Sequence, residues 1–209
     1  MCASTSISNF DLDGLDDYDE ISSFDSAFGS PNKCMFKINV SDLAHYFGME
    51  LLDGNPIKAT GNSCVYAASL QMDISPNQKT NNHIESCYTQ KYALKISTNK
   101  RRIFKEFENY EMLPYSTKLV KCFDICEFNE FAILQMELCK GDIYGVLIDE
   151  KELWKLIHDI SEALNEIHYA DLIHLDVSPS NILVHGVGFK LADFGNVIEN
   201  GTFKLGDEG

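Results

Sequence analysis

The sequence predicts an α+β fold, with a small antiparallel sheet lobe followed by a helical lobe. Runs rich in β-branched and aromatic residues fill the earlier part of the chain, and polar segments containing Pro and Asn separate them, as in hairpins. One helical segment interrupts these runs, and the longest segment with helical periodicity follows them. This order favours a sheet packed beside helices rather than a uniform bundle or sandwich.

Six runs have the composition of strands. The first two lie on either side of residues 71–88, which contain Pro76 and several Asn and are predicted to form a hairpin loop. The last two are short and surround a Gly-containing turn. The predicted strands are 63–70, 92–96, 120–125, 131–136, 182–184 and 189–191.

Helical periodicity marks residues 101–113 and 151–169. In the first segment, Ile103, Phe107 and Tyr110 recur at spacings of three and four. In the second, the apolar positions are Leu153, Leu156, Ile157, Ile160, Leu164 and Ile167.

Composition divides the chain and excludes some partners. Residues 1–34 are acidic and Ser-rich, so we expect a disordered tail, and residues 35–50 form a linker or a short helix over 41–47 capped by Ser41 or Asp42. The net charge of −15 argues against a nucleic-acid partner, because phosphate backbones require clustered Lys and Arg. The sequence has no apolar run near the roughly 18 residues of a membrane helix, so we expect no membrane span. Seven cysteines without framework spacing favour reduced thiols.

The strongest chemical signal is a pair of motifs after the long helix. Residues 174–181 read H-L-D-V-S-P-S-N, and D-F-G begins at Asp193, twelve residues past Asn181. Phosphoryl transfer requires a base that orients the incoming hydroxyl, and Asp176 occupies that position. It also requires oxygen ligands for Mg²⁺, for which Asn181 and Asp193 are suited.

A lysine in an otherwise apolar strand is the second signal. Lys95 lies within residues 92–96, Y-A-L-K-I, where an unpaired charge is costly. We expect its partner to come from the following helix, with Glu106 as the first choice and Glu108 as the alternative.

A third segment, residues 57–67, precedes that strand. Aligning Val65 with the valine of G-x-G-x-x-G-x-V places Lys58, Thr60 and Ser63 at the glycine positions, and Gly61 is one place off. Glycines there let backbone N–H groups approach phosphates closely, so we expect weaker cover of a nucleotide.

From about Leu51 onward these motifs resemble the eukaryotic protein kinase family. The resemblance implies a bilobal fold with a sheet lobe at about 51–138 and a partial helical lobe at 139–209, and it implies ATP and Mg²⁺ as cofactors. It assigns Asp176 as the catalytic base, Asn181 and Asp193 as magnesium ligands, and Lys95 with Glu106 as the ion pair of the active state. The residues it assigns to nucleotide binding are Ile57, Gly61, Val65, Ala93, Lys95, Met136, Glu137, Cys139 and Leu183. Its internal hydrophobic stack comprises Tyr110, His174 and Phe194.

Within kinases, three stretches resemble the Wee-type mitosis-inhibitor kinases. They are E-L-C at 137–139, I-H-L-D-V at 173–177, and K-L-A-D-F-G-N-V at 190–197 with G-D-E-G at 206–209. The resemblance implies a cyclin-dependent kinase as the protein substrate and delayed mitotic entry as the result. Leu175 in place of the usual Arg implies activity without activation-loop phosphorylation. A nuclear or cytoplasmic location rests on the same resemblance.

Three features depart from the family pattern. The glycine loop is degenerate, Ser178 replaces a lysine that contacts the transferred phosphate, and the chain ends at Gly209 before the later helices of the family. We therefore expect a truncated helical lobe in which Leu156, Ile160 and Leu164 lose their cover. Two other readings stay open: a pseudokinase or kinase remnant that acts as a binding module, and a kinase of another subfamily.

Overall fold

The computed structural model describes residues 48–73 and 87–201 of the chain. The predicted acidic tail, the short helix over 41–47 and the G-D-E-G stretch lie outside the described residues. The same holds for the middle of the predicted hairpin loop.

The first lobe is a six-stranded antiparallel sheet with one helix packed against it. The strand order is β1-β3-β4-β6-β5, and β2 pairs with β3 at the edge of this path. Strand β3 and strand β4 form the longest pairing, from Ser63 opposite Ser97 to Asp73 opposite Cys87. The strands are β1 (Glu50–Leu51), β2 (Lys58–Ala59), β3 (Ser63–Asp73), β4 (Cys87–Ser97), β5 (Cys122–Phe128) and β6 (Phe131–Glu137).

Alternation along β6 divides the sheet into two buried faces. Phe131 and Ile133 belong to a cluster on one face, whereas Ala132 and Leu134 belong to the cluster that continues into the second lobe. This is the two-residue period of a strand that is buried on both sides. Lys95 pairs with Leu134 across the sheet.

Helix α1 (Lys100–Glu111) crosses the second of these faces. Its amino end is capped by Asn99, whose side chain accepts a hydrogen bond from the N–H of Arg102 at 3.2 Å. Ile103, Glu106 and Asn109 recur at a spacing of three and are all buried, so the helix turns one carboxylate into the space beneath the sheet.

The described part of the second lobe contains one long helix, short strands and three short 3-10 turns. Helix α2 (Glu150–Tyr169) begins with a capping box in which the side chains of Asp149 and Glu152 each accept a hydrogen bond from the other's backbone N–H. Around it lie β7 (Gly141–Asp142), β8 (Leu172–Ile173), β9 (Ile182–His185), β10 (Gly188–Leu191) and β11 (Ile198–Glu199). Strands β10, β9 and β7 form one sheet, and β11 pairs with β8.

A short parallel contact joins the lobes. Leu119 and Leu191 form an isolated parallel bridge, and the N–H of Val120 donates to the carbonyl of Leu191 at 2.9 Å. Both leucines are buried in the cluster that contains Ile160 and Ile167 of α2. The core of the second lobe is therefore continuous with one face of the sheet lobe.

The α+β prediction and its main elements are confirmed, with two corrections. Strands β3 and β4 extend into residues 71–73 and 87–88, which were predicted to be loop. Among the predicted helix positions, Ile160 is buried and Leu156 and Leu164 pack against the core, so the expected loss of cover is wrong for these three. The large apolar side chains of α2 that are exposed are instead Leu153, Trp154, Ile157 and Tyr169.

The prediction of reduced cysteines also needs correction. Cys64, which is fully buried in β3, is disulfide-bonded. Cys122, Cys126 and Cys139 are not disulfide-bonded.

Candidate active site

Lys95, Glu106 and Asp193 meet between the sheet, α1 and the segment after β10. The ammonium Nζ of Lys95 donates to both carboxylate oxygens of Glu106, at 2.8 and 2.7 Å, and lies 3.4 Å from Oδ1 of Asp193. Glu106 is 1% exposed. Glu108, the alternative partner, is instead exposed and lies 3.8 Å from Lys105. The structure therefore brings together the first predicted pair and not the second.

The charges of this triad depend on one another. Burial lowers the pKa of Lys95, but the carboxylates of Glu106 and Asp193 more than offset this, and the pKa of Lys95 is raised. Burial raises the pKa of Asp193, yet Lys95 and the N–H of Gly195 bring that pKa below its ordinary value. Burial also raises the pKa of Glu106 despite the opposing effect of Lys95. One lysine therefore stabilises two carboxylates in a largely buried site.

Asp176 is held by three neighbours in the loop between β8 and β9. Its backbone N–H donates to Nδ1 of His174 at 3.3 Å, and its backbone carbonyl accepts from Nδ2 of Asn181 at 3.0 Å. Its carboxylate Oδ2 accepts from Nδ2 of Asn196 at 3.2 Å. Backbone and side chain of Asp176 are thus both oriented by side chains from its own loop and from the D-F-G segment.

His174 links this loop to the strand before Asp193. Because Nδ1 accepts from Asp176, the ring nitrogen Nε2 carries the proton and donates to the carbonyl of Ala192, 3.2 Å away. Burial lowers the pKa of His174, which keeps the ring neutral and preserves this arrangement of donor and acceptor.

The predicted hydrophobic stack is present. The ring of Phe194 lies 5.8 Å from the ring of Tyr110 and 5.8 Å from that of His174. The side chain of Asn109 in α1 donates to the backbone carbonyl of Phe194 at 2.7 Å. Phe194 therefore connects α1 with the loop that carries Asp176, and Asn109 is a contact that the sequence reading missed.

Asn181 and Asp193 fit a magnesium ion by their chemistry. The amide nitrogen of Asn181 is committed to the carbonyl of Asp176, which leaves the amide oxygen for a ligand. Oδ1 of Asp193 is buried, and its 3.4 Å contact with Nζ of Lys95 is an ion pair without the geometry of a hydrogen bond. Asp193 also has a left-handed backbone, with φ of 65°, a strained conformation for a non-glycine residue that is typical of functional sites. Carboxylate and amide oxygens are ligands that Mg²⁺ prefers.

Four of the residues assigned to nucleotide binding lie on strands of the two lobes: Val65, Ala93 and Met136 in the first and Leu183 in the second. Val65 lies opposite Lys95, and Ala93 lies opposite Met136 in the sheet. Ala93 is buried, and Met136 packs against the core that continues into the second lobe. Leu183 belongs to β9, where it pairs with Asp142.

The side chain of Glu137 is engaged by residues of the second lobe and by the backbone of Lys121. Its oxygens accept from Nζ of Lys190 at 2.6 and 2.7 Å, from His185 within 3.1 Å, and from the backbone N–H of Lys121 at 3.1 Å. Any nucleotide contact by Glu137 would therefore use its backbone. Cys139, two residues on, is half-buried, and burial raises the pKa of its thiol to about 12.

The segment that replaces the glycine loop forms a tight hairpin between β2 and β3. The N–H of Thr60 donates to the carbonyl of Ser63 at 2.8 Å, and the two hydroxyl oxygens lie 2.9 Å apart. A Cβ added at Gly61 would meet nothing within 4 Å, so the fold itself does not require glycine there. Ile57, at the base of the hairpin, donates its N–H to the carbonyl of Val65 at 2.8 Å.

Lys58, in the same hairpin, reaches across to the second lobe. Its Nζ donates to the backbone carbonyl of Ser180 at 2.8 Å. In the sequence, Lys58 stands out only as a residue at a glycine position, and this contact was not predicted. The two residues are 122 positions apart, so no local signal could have revealed it.

This arrangement defines the class of protein. The model of the protein kinase domain matches residues 77–202, which is more than half of the chain. The chain therefore belongs to the protein kinase domain family, and the predicted family is confirmed.

Three of the similar proteins are a mitosis inhibitor kinase, a cdc2-inhibitory kinase and a Wee1-like kinase. The chain is 33% identical over 108 residues to the mitosis inhibitor protein kinase mik1 of Schizosaccharomyces pombe, covering 47% of this chain and 19% of that protein. It is 32% identical over 119 residues to the membrane-associated tyrosine- and threonine-specific cdc2-inhibitory kinase wee-1.3 of Caenorhabditis briggsae, covering 51% and 18%. A Wee1-like protein kinase of Arabidopsis thaliana is 30% identical over 117 residues, covering 50% and 23%.

The matched part of the chain spans less than a quarter of the length of each of these relatives. Within the two described stretches, no helix is both long and apolar enough to cross a membrane.

Proposed function

We propose that this chain transfers the terminal phosphate of ATP to a hydroxyl group of a protein. The observation that carries the proposal is the buried contact of Lys95 with Glu106 at 2.7 Å, made beside Asp193. A buried charge is costly unless it is paired, and this pair stands next to the residue best suited to hold a metal. A domain that only packed against a partner would have no need of these charges.

Each side chain has one task in this proposal. Bound Mg²⁺ and ATP supply the phosphate to be transferred and the cation that neutralises its charge. Asp176 accepts the proton of the substrate hydroxyl, and its contact with Asn196 fixes the direction of its carboxylate. Lys95, held by Glu106, would contact the phosphates of the bound nucleotide. Asn181 and Asp193 hold the metal.

The finer proposal is a Wee-like kinase that acts on a cyclin-dependent kinase and delays mitotic entry. It rests on relatives whose names include mitosis inhibitor and cdc2-inhibitory kinase, at 33% and 32% identity. Leu175, with φ of 61° and its side chain half exposed, offers no charge to a phosphorylated activation loop. This supports activity that is independent of such phosphorylation. A nuclear or cytoplasmic location is part of the same proposal.

A second candidate function is a binding module without catalysis. The exposed side chains of Leu153, Trp154 and Ile157 on one side of α2 favour it, since they are 46%, 65% and 48% exposed. Ser178, at the position of the phosphate-contacting lysine, also favours a binding module. In this alternative, the ion pair of Lys95 with Glu106 has a structural role only.

Phosphate transfer separates the two functions. The 209-residue chain is incubated with Mg²⁺ and radiolabelled ATP and with either a cyclin-dependent kinase or a generic acceptor protein, beside Asp176→Asn. Removing a general base costs about 10²–10⁴ in rate, so we expect transfer by the wild type and loss of the signal in the variant. Transfer to the cyclin-dependent kinase alone supports the Wee-like assignment, and transfer only to the generic protein contradicts it. A folded chain that binds ATP but transfers no phosphate would favour the binding module.

A further inference from the structure

The loop that carries Asp176 has no cationic side chain at the position where the family pattern has a lysine. Ser178 stands two residues after Asp176, where the family pattern has a lysine, and its hydroxyl oxygen lies 2.9 Å from that of Ser180. Two hydroxyl groups cannot offset the charge of a triphosphate. Electrostatic stabilisation dominates phosphoryl transfer, so a replacement for this charge would matter.

Lys58 brings a positive charge to the same loop from the other lobe. Its Nζ donates to the carbonyl of Ser180 at 2.8 Å, one residue before Asn181. The backbone of Lys58 is fixed because it pairs with Val65 in the hairpin between β2 and β3. The ammonium thus belongs to the hairpin that would lie over the phosphates, and it reaches the loop that carries Asp176.

Three other lysines of the two described stretches are each paired with a carboxylate, which for Lys95 is the pairing that the proposed function uses to place it at the phosphates. Lys95 is bound by Glu106, Lys190 is bound by both oxygens of Glu137, and Lys118 is bound by Asp159 at 2.7 Å. Lys58 is exposed, and its contact is to a neutral carbonyl, so it can exchange this contact for a phosphate oxygen at little cost. An ammonium has three donors, so it can also keep the carbonyl.

We propose that Lys58 binds the terminal phosphate of ATP and supplies the charge that Ser178 does not. This inference rests on the proposed function, because it takes the nucleotide of that site as given. It explains together two departures from the family pattern: a lysine at a glycine position in one lobe and a serine at a lysine position in the other. The hairpin loses a glycine and the site regains a cation.

The test compares two nucleotides that differ only by that phosphate. Dissociation constants of Mg-ATP and Mg-ADP are measured by displacement of a fluorescent nucleotide from the 209-residue chain. A charge-assisted contact contributes roughly tenfold or more to affinity. We therefore expect Lys58→Met to weaken ATP about tenfold more than ADP. Lys58→Arg should keep the preference for ATP, and adding Ser178→Lys to Lys58→Met should restore it.

A matched control is Lys151→Met, which removes an exposed lysine at the start of α2 and should leave both affinities unchanged. Equal weakening of ATP and ADP by Lys58→Met, or no weakening, would overturn the inference. If ATP binding depends on Lys58 but no phosphate is transferred, the inference stands and the proposed catalysis fails. A wild-type chain that binds neither nucleotide overturns both.

Discussion

Replacing Lys95 with Met should destabilise the whole domain and not only remove activity. The substitution leaves the carboxylate of Glu106, which is 1% exposed, without the ammonium that contacts both of its oxygens. Breaking a buried pair by removing one partner costs about 3–5 kcal/mol. A domain of this size has roughly 5–15 kcal/mol of stability in total, so the loss is a large share. With about 2–4 °C per kcal/mol, we expect the unfolding midpoint to fall by about 6–20 °C.

The pH dependence of this loss is its signature. Without Lys95, the pKa of Glu106 in the folded state rises further above its value in the unfolded chain. A carboxyl group with a raised pKa binds more protons when folded, so its penalty grows as pH rises through that pKa and shrinks as pH falls. We therefore expect Lys95→Met to be closest to the wild type in acid and furthest from it near neutral pH.

Thermal unfolding from pH 5 to 8 measures this, followed by circular dichroism. The control is Lys105→Met, because Lys105 makes a longer contact of 3.8 Å with the exposed Glu108, a kind of pair that contributes little. The double variant Lys95→Met, Glu106→Gln should lose the pH dependence of the single variant. A midpoint for Lys95→Met equal to the wild type, or a penalty that does not vary with pH, would refute the reasoning.

Two further predictions concern buried polar groups of the second lobe. His174→Gln should reduce the loss of stability as the pH falls from about 7 to 5. Burial lowers the pKa of His174, so in the wild type this ring takes up a proton on unfolding. Urea unfolding at each pH measures the effect, and His168→Gln, at an exposed site, should leave the dependence of stability on pH unchanged. Asp159→Asn should cost about 1–3 kcal/mol at neutral pH, because Asp159 accepts from Lys118, Lys155 and the N–H of Phe189. Burial raises the pKa of Asp159, yet these donors more than offset it and lower that pKa to about 2. Its stabilisation is therefore present above about pH 4 and is lost as pH falls toward 2. The control is Asp171→Asn, at an exposed position just after α2, and a loss of stability for Asp159→Asn no larger than for this control would contradict the prediction.

The sequence predicted the residues that lie within motifs, because motif spacing records a chemical requirement. The spacing between Asn181 and Asp193 predicted two oxygen ligands, and the structure places Asn181 beside Asp176 and Asp193 beside Lys95. The choice of Glu106 over Glu108 also followed from the helix, since only one of two residues two positions apart can face the sheet. Their roles in catalysis stay predictions.

The contacts that the sequence could not predict join distant parts of the chain. The contact of Lys58 with Ser180, that of Asn109 with Phe194 and that of Glu137 with Lys190 span 122, 85 and 53 residues. Each depends on how two lobes pack, which no local pattern specifies. The two-residue strands β1, β2, β7, β8 and β11 were missed for a related reason, because two residues are too few to show a period.

The ion pair of Glu137 with Lys190 has a mechanical consequence. Glu137 ends β6, the strand that leads out of the sheet lobe, and Lys190 lies three residues before Asp193 in the strand that delivers that residue to the site. Both side chains are largely buried, and their atoms are 2.6 Å apart. A rotation of one lobe against the other must therefore either turn about this ion pair or break it. If this ion pair is kept, opening and closing of the cleft between the lobes must shift Asp193, so access to the cleft is coupled to the position of the aspartate that we propose as a metal ligand.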